Sequence, residues 1–168
     1  MSTTSYPVTF PQRALLVESA LHPENEAFDL PFLFKIEGGV DVARLAEAIS
    51  AATRSSVGLL TTFERNPAGF TAHPGSGEFA VTIEETQLTG ATADLHLSRL
   101  VAEDLARGRI RPEDPHQMRV TLVSSPDAVY MYMRASHFVG DAYSFYRWTG
   151  CISALYAGPV DRWPELLA

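Results

Sequence analysis

At 168 residues the chain has the length of one soluble domain, and a composition of 46% hydrophobic, 20% charged and 10% aromatic residues argues against disorder and collagen-like structure. Thirteen basic against 20 acidic residues leave a net charge of −7, a field that offers no general grip on nucleic acid or anionic lipid. Cys151 has no second cysteine to pair with, no run reaches the roughly 20 apolar residues of a bilayer span, and residues 1–6 are too polar for a secretory leader. The expectation is a cytoplasmic protein of one domain, residues 1–168, with neither nucleic acid nor membrane as partner.

The elements follow in chain order. Residues 11–20 have helical spacing, with Pro11 suited to a first turn and Pro23 as the stop. Residues 28–36 (FDLPFLFKI) read as a strand, with Pro31 marking an irregular start or a sheet edge and Gly38-Gly39 the turn after it. Asp41 caps a helix that places Val42, Leu45, Ala46 and Ile49 on one face. Strands are predicted at 59–63, 70–72 and 79–84, the first two joined by the turn Asn66-Pro67-Ala68-Gly69. An amphipathic helix covers 93–107 and stops at Gly108. Strands 118–123 and 128–135 are joined closely enough for a hairpin, and Val129, Met131, Met133 and Ala135 share a face whose parity His137 continues. The last helix, 142–156, carries Tyr143, Phe145, Tyr146, Trp148 and Tyr156, aromatics suited to a core or an interface, and Gly158-Pro159 ends it. Helices able to cover one face of hairpin-like strands predict an open α/β two-layer sandwich with a mixed, largely antiparallel sheet. No Gly-rich phosphate loop is present.

The segment Ser136-His137-Phe138-Val139-Gly140-Asp141-Ala142 places an imidazole and a carboxylate four residues apart between a buried strand and a helix. Rigid scaffolds carry reactive groups on such loops, and an imidazole can hold or take a proton near neutral pH. The same pair also suits a hydrogen-bonded turn. His22, His73, His96 and His116 are scattered without metal-ligand spacing. Arg107, Arg109 and Arg111 suit either a solvated helix end or a contact for an acidic partner. Cys151 reads as a small buried apolar residue.

Residues 129–144 resemble the signature strand, loop and helix start of the condensation domains of nonribosomal peptide synthetases, which share the chloramphenicol acetyltransferase-like fold. His137 matches the second histidine of the H-H-x-x-x-D-G motif, Asp141 its aspartate, and Tyr143 and Ser144 the residues after the glycine; Ser136 replaces the first histidine and Ala142 the glycine. Residues 9–15 are similar to the family's opening S-x-A-Q-x-R-L motif, retaining Gln12 and Leu15, and residues 59–63 keep the outline of its R-T-x-F stretch. The likeness spans nearly the whole chain but only the amino-terminal lobe of the family.

The resemblance implies that His137 acts as general base or amine-positioning residue in amide formation between carrier-protein-bound acyl groups. No cofactor or metal of the protein's own is implied, because the substrates ride on phosphopantetheine arms. Gln12, Tyr143 and Ser144 are the expected tunnel-lining residues. Ser136 and Ala142 are motif positions, and Asp141 is structural, expected to pair with an arginine. Thr62 stands where that arginine usually lies, which leaves Arg134 or Arg65 as the partner, or no salt bridge. The other tunnel wall is expected from a separately encoded carboxy-terminal lobe, forming a heterodimer, or from self-association. Two further readings are a non-catalytic module that docks a synthetase or carrier protein, and a lobe excised from a longer synthetase.

Overall fold

The most continuously apolar stretch of the sequence becomes the centre of the main sheet. In the computed structural model, which describes residues 5–75 and 79–163, β7 (Val129–Ser136) is buried along its whole length. It pairs antiparallel with β2 (Asp29–Ile36) on one side and with β6 (Met118–Ser124) on the other. A strand with neighbours on both edges and cover on both faces has no solvent side, so it loses the polar alternation of a half-exposed strand. β5 (Thr82–Glu85) joins β6 in parallel, and the order β2-β7-β6-β5 is the expected mixed, largely antiparallel sheet.

Side-chain parity then assigns the layers. Val129, Met131, Met133 and Ala135 join Met118, Val120 and Leu122 against α2 (Val42–Ser55) and α4 (Ala142–Ala157). On the opposite face Tyr130 and Val123 pack against Leu97 and Leu100 of α3 (Gly90–Ala106), which adds a helix to that side. Asp41 caps α2 as expected, its carboxylate accepting from Arg44 N at 3.0 Å. Arg44 Nε in turn donates to Tyr156 O at 2.8 Å, tying the start of α2 to the end of α4. Within that layer Trp148 Nε1 donates to buried Thr53 Oγ1 at 3.1 Å, so the indole N–H is satisfied where no water reaches it.

The small strands do not extend this sheet. β1 (Tyr6–Pro7), β4 (Gly69–His73) and β3 (Thr62–Asn66) form a separate antiparallel sheet in the order β1-β4-β3. Residues 59–63 were expected to be extended, but Val57–Leu60 is a 3-10 turn and β3 starts only at Thr62. The turn is held by Thr61, whose N–H reaches Gly58 O at 3.2 Å and whose hydroxyl reaches Val57 O at 2.9 Å. The turn at 66–69 forms as predicted, with Gly69 at φ 127°. A second core of Leu16 from α1 (Phe10–Leu21), Phe28, Phe63, Ala72 and Phe138 lies beneath this sheet. Residues 1–4, where the absence of a leader was read, lie outside the described residues. Among the described residues no helix is long and apolar enough to cross a membrane.

Candidate active site

Both cores meet at the connection between β7 and α4, residues 137–141. Phe138 is buried, stacked on Phe28 with ring centroids 5.7 Å apart and edge-on to Phe63 at 6.1 Å. Val139 touches both cores. Ser136, in the place of the motif's first histidine, is fully buried: its N–H donates to Gln117 O at 2.8 Å and its hydroxyl accepts from Phe138 N at 3.2 Å. A loop anchored by a buried aromatic and its own hydrogen bonds presents its remaining side chains in fixed directions.

His137 is the half-buried side chain so presented. Its backbone N–H donates to Phe28 O at 2.7 Å, continuing the β2–β7 ladder one step past the strand. Its Nδ1 lies 3.0 Å from Gly140 O. A carbonyl oxygen only accepts, so this contact puts the ring proton on Nδ1 and leaves the lone pair on Nε2, which has no hydrogen-bond partner among the described residues. Gly140 is closely packed here: a Cβ would stand 3.1 Å from Phe145 Cζ and 3.2 Å from Ser144 Cβ, so those side chains would have to give by a few tenths of an ångström. Gln12 supports the loop from α1, donating through Nε2 to Phe138 O at 3.1 Å while its Oε1 accepts from Thr9 N at 3.0 Å. It was expected among the lining residues and acts here as a brace.

Asp141 is an exposed N-cap. Its Oδ1 accepts from Ser144 N and Ser144 Oγ, both at 2.8 Å, and these bonds hold its carboxyl below the usual 3.8. Among the described residues no arginine pairs with it, so of the alternatives left by the sequence it is the one without a salt bridge that the structure matches; Arg134 is committed elsewhere. The cap's contribution is therefore complete above the unfolded value of 3.8 and is lost as pH falls through the lowered folded value. Asp141→Ala is expected to lower the melting temperature at neutral pH, and the gap to the parent should close on acidification, read by thermal melts across pH. Ala142 is the exposed first residue of α4, Tyr143 and Ser144 follow it in the first turn, and Tyr143 and Tyr146 stand open to solvent, Tyr146 at 74%. Phe145 and Trp148 belong to the core.

Arg134 anchors the strand that ends in His137. Fully buried, it donates through Nε to Asp29 Oδ2 at 3.0 Å and through Nη2 to the same oxygen and to Gly108 O at 2.8 Å. Nη1 reaches Asp104 O at 2.7 Å and Asp104 Oδ2 at 3.2 Å. Tyr132 OH donates to Asp104 Oδ2 at 2.9 Å, and Ile110 N donates to Asp29 Oδ2 at 3.0 Å. Burial raises the Asp29 carboxyl, against the Ile110 N–H and the Arg134 guanidinium that lower it; the two carboxylates, against burial, raise Arg134. The network was not foreseen, although an arginine inside the apolar run VYMYMRAS signals a buried partner.

The other candidates fall away from this site. Arg109 Nη1 donates to Ser19 Oγ at 2.6 Å, so the Arg107, Arg109 and Arg111 group is partly tied into the fold. His22, His73 and His96 each lie beside a glutamate. The Cys151 thiol is half-buried and pushed up by burial, away from nucleophilic use.

A four-stranded mixed sheet whose central strand runs into a histidine loop and a capped helix is the chloramphenicol acetyltransferase-like fold of condensation domains, here as a single lobe. It superposes with a TM-score of 0.77 and 16% identity on the starter condensation domain of rhizomide synthetase RzmA, covering 92% of this chain and 39% of that one. The tallysomycin biosynthesis protein TlmII gives a TM-score of 0.79 at 22% identity, covering 92% of this chain and 38% of that one. In sequence the chain is 26% identical over 144 residues to a linear gramicidin synthase polypeptide of Brevibacillus parabrevis, a match that spans 82% of this chain and 2% of that protein. No protein-family model matches the chain. The chain thus spans less than two-fifths of the solved relatives and a small part of the gramicidin synthase.

Proposed function

We propose that this lobe forms one wall of a condensation-type acyltransferase of nonribosomal peptide synthesis, joining carrier-protein-bound acyl groups through an amide bond. The observation that carries the reading is the His137 ring, with Nδ1 held by Gly140 O and the Nε2 lone pair left available. In the reaction an amine nitrogen attacks a thioester carbonyl carbon, the C–N bond forms, the C–S bond breaks and the thiol leaves. Nε2 accepts a hydrogen bond from the amine, takes its proton as the C–N bond forms and hands it to the departing sulfur as the C–S bond breaks, which gives orientation and acid–base assistance from one fixed atom. One of the solved RzmA relatives is described in complex with C8-CoA and Leu-SNAC, an acyl and an aminoacyl thioester, which supports two thioester-borne substrates here.

The opposite wall is assigned to a second lobe on another polypeptide. Its support is the exposed aromatic surface that follows the loop, Tyr143 and Tyr146 at the start of α4. The test is to co-purify the full chain with the synthetase polypeptides encoded beside it and to assay the assembly with an acyl-carrier donor and an aminoacyl-carrier acceptor by mass spectrometry. A stable complex that makes the amide supports the reading. A complex that binds the carriers but forms no amide favours a docking module instead.

A further inference from the structure

Gln117 stands immediately before β6 and is 1% exposed, a position at which a side-chain amide must be satisfied by the protein itself. Its Nε2 is surrounded by main-chain carbonyls: Arg111 O at 2.7 Å, Asp114 O at 2.8 Å and Pro112 O at 3.2 Å. Acceptors gathered around one end of the amide identify it as the amino group, which has two N–H to share among them. The other end, Oε1, is buried with no partner among the described residues. That orphaned acceptor is a standing penalty, and what offsets it is the set of carbonyls at the amino end. They belong to a turn, residues 111–114, closed on itself by Asp114 N on Arg111 O at 3.0 Å and by Arg111 N on Asp114 Oδ2 at 2.9 Å.

Through this turn Gln117 reaches both chain neighbours of His137. Its own main-chain oxygen accepts from Ser136 N at 2.8 Å on one side. On the other, the turn presents Pro112 O to Phe63 N at 2.9 Å, and the Phe63 ring meets Phe138 edge-on. The main-chain bond needs no particular side chain, whereas the second route needs the amide. Without it Arg111 O and Asp114 O, carried by an exposed and a half-buried residue, can turn to water, and the turn is free to draw Pro112 O away from Phe63.

We propose that Gln117 is a positioning residue for His137: its amino group sets the 111–114 turn, the turn sets Phe63, and Phe63 seats Phe138, which keeps the imidazole where Nδ1 meets Gly140 O. The proposal rests on the reading of His137 as the acid–base group of the condensation reaction. Its consequence is for rate rather than for binding, because a ring that swings spends part of its time with Nε2 misdirected while carrier docking is left alone.

Nitrogen NMR of the imidazole rings in the full chain, at a pH where they are neutral, reads the position without any assay; the His137 signals are those missing from His137→Gln. In the parent Nδ1 should give the signal of a fixed, protonated nitrogen. Gln117→Met keeps the length of the side chain and removes the orphaned Oε1 together with the donor contacts, so the fold should hold. The His137 signals should then move towards the average of the two tautomers, as for a ring freed from the Gly140 contact. Gln117→Asn keeps a buried amide but withdraws it by one methylene, and should give a smaller displacement in the same direction. Unchanged His137 signals in either folded variant would overturn the positioning role, since a loss of stability alone lowers the melting temperature without touching the ring of the folded molecule. In the proposed two-lobed assembly Gln117→Met should lower kcat by about 10–10²-fold with KM near that of the parent; a raised KM with kcat unchanged would also overturn the role. Signals that move while the rate of amide formation does not would leave the positioning standing and remove His137 from the chemistry, which tells the two failures apart.

Discussion

Replacing Arg134 with methionine is expected to lower the stability of the chain by about 3–5 kcal/mol, because two carboxylates then remain in a dry interior without their cation. Asp29 would keep the Ile110 N–H and lose the Arg134 guanidinium bonds, while Asp104 would keep Tyr132 OH and the partly exposed Arg119 at 3.4 Å. Urea unfolding gives the size of the loss, and its pH dependence gives the cause. Asp29 already has a raised carboxyl through burial, and removing a lowering partner raises it further. A raised folded value contributes stability that is present below the unfolded 3.8 and is lost as pH rises through the folded value. The deficit of Arg134→Met should therefore shrink on acidification, contrary to ordinary acid denaturation. A deficit independent of pH would mean that lost packing, rather than uncompensated charge, is responsible. Replacing all three groups together, Arg134→Met with Asp29→Leu and Asp104→Leu, should recover part of the loss, since no buried charge is then left unpaired.

If the lobe works as proposed, His137→Ala in the proposed two-lobed assembly should reduce the rate of amide formation by about 10²–10⁴-fold, the range of a positioned acid–base group, with the circular dichroism of the chain unchanged. The fold is expected to tolerate the change because the loop is held by Phe138, Ser136 and Gln12, and because the backbone bond from residue 137 to Phe28 O survives. His137→Gln separates the two duties of the ring. A side-chain amide can still accept a hydrogen bond from an amine but cannot take its proton at neutral pH, so the recovered fraction of the rate measures orientation alone. Rates for His137→Ala equal to the parent would remove the imidazole from the chemistry and leave the lobe as a docking module.

The sequence was most informative where contacts are local. The Asp41 cap, the Gly69 turn and the apolar parity of β7 each depend on residues within a few positions of one another, and each was legible from spacing. The loop at His137 was legible as a motif but not as a geometry. Its Gln12 brace comes from 126 residues away and acts through a backbone oxygen, which no side-chain pattern records. The small sheet was missed as a separate layer because β1 is two residues long and its partner, β4, lies beyond α1, β2, α2 and β3 in the chain. Arg134 was one of two arginines offered to Asp141, beside the reading that no salt bridge forms, whereas its partners stand 105 and 30 residues away on β2 and α3. Only burial could reveal that pairing: the exposed Asp141 can be satisfied by Ser144 alone, while an arginine shut inside the sheet must find its carboxylates there.

Gln12 does two jobs with one amide, closing the capping box of α1 through Oε1 and holding the His137 loop through Nε2. The two opening reactions are therefore linked: if the first turn of α1 frays, the loop loses its brace, and whatever pulls Phe138 O away loosens the cap. Amide protons of that first turn and of residues 138–140 should exchange with solvent as one cooperative unit, with a common opening free energy below that of β7. A molecule settling on the exposed ring of Phe10 would then slow exchange in the loop without touching it, and the order of the histidine would report what is bound to the helix.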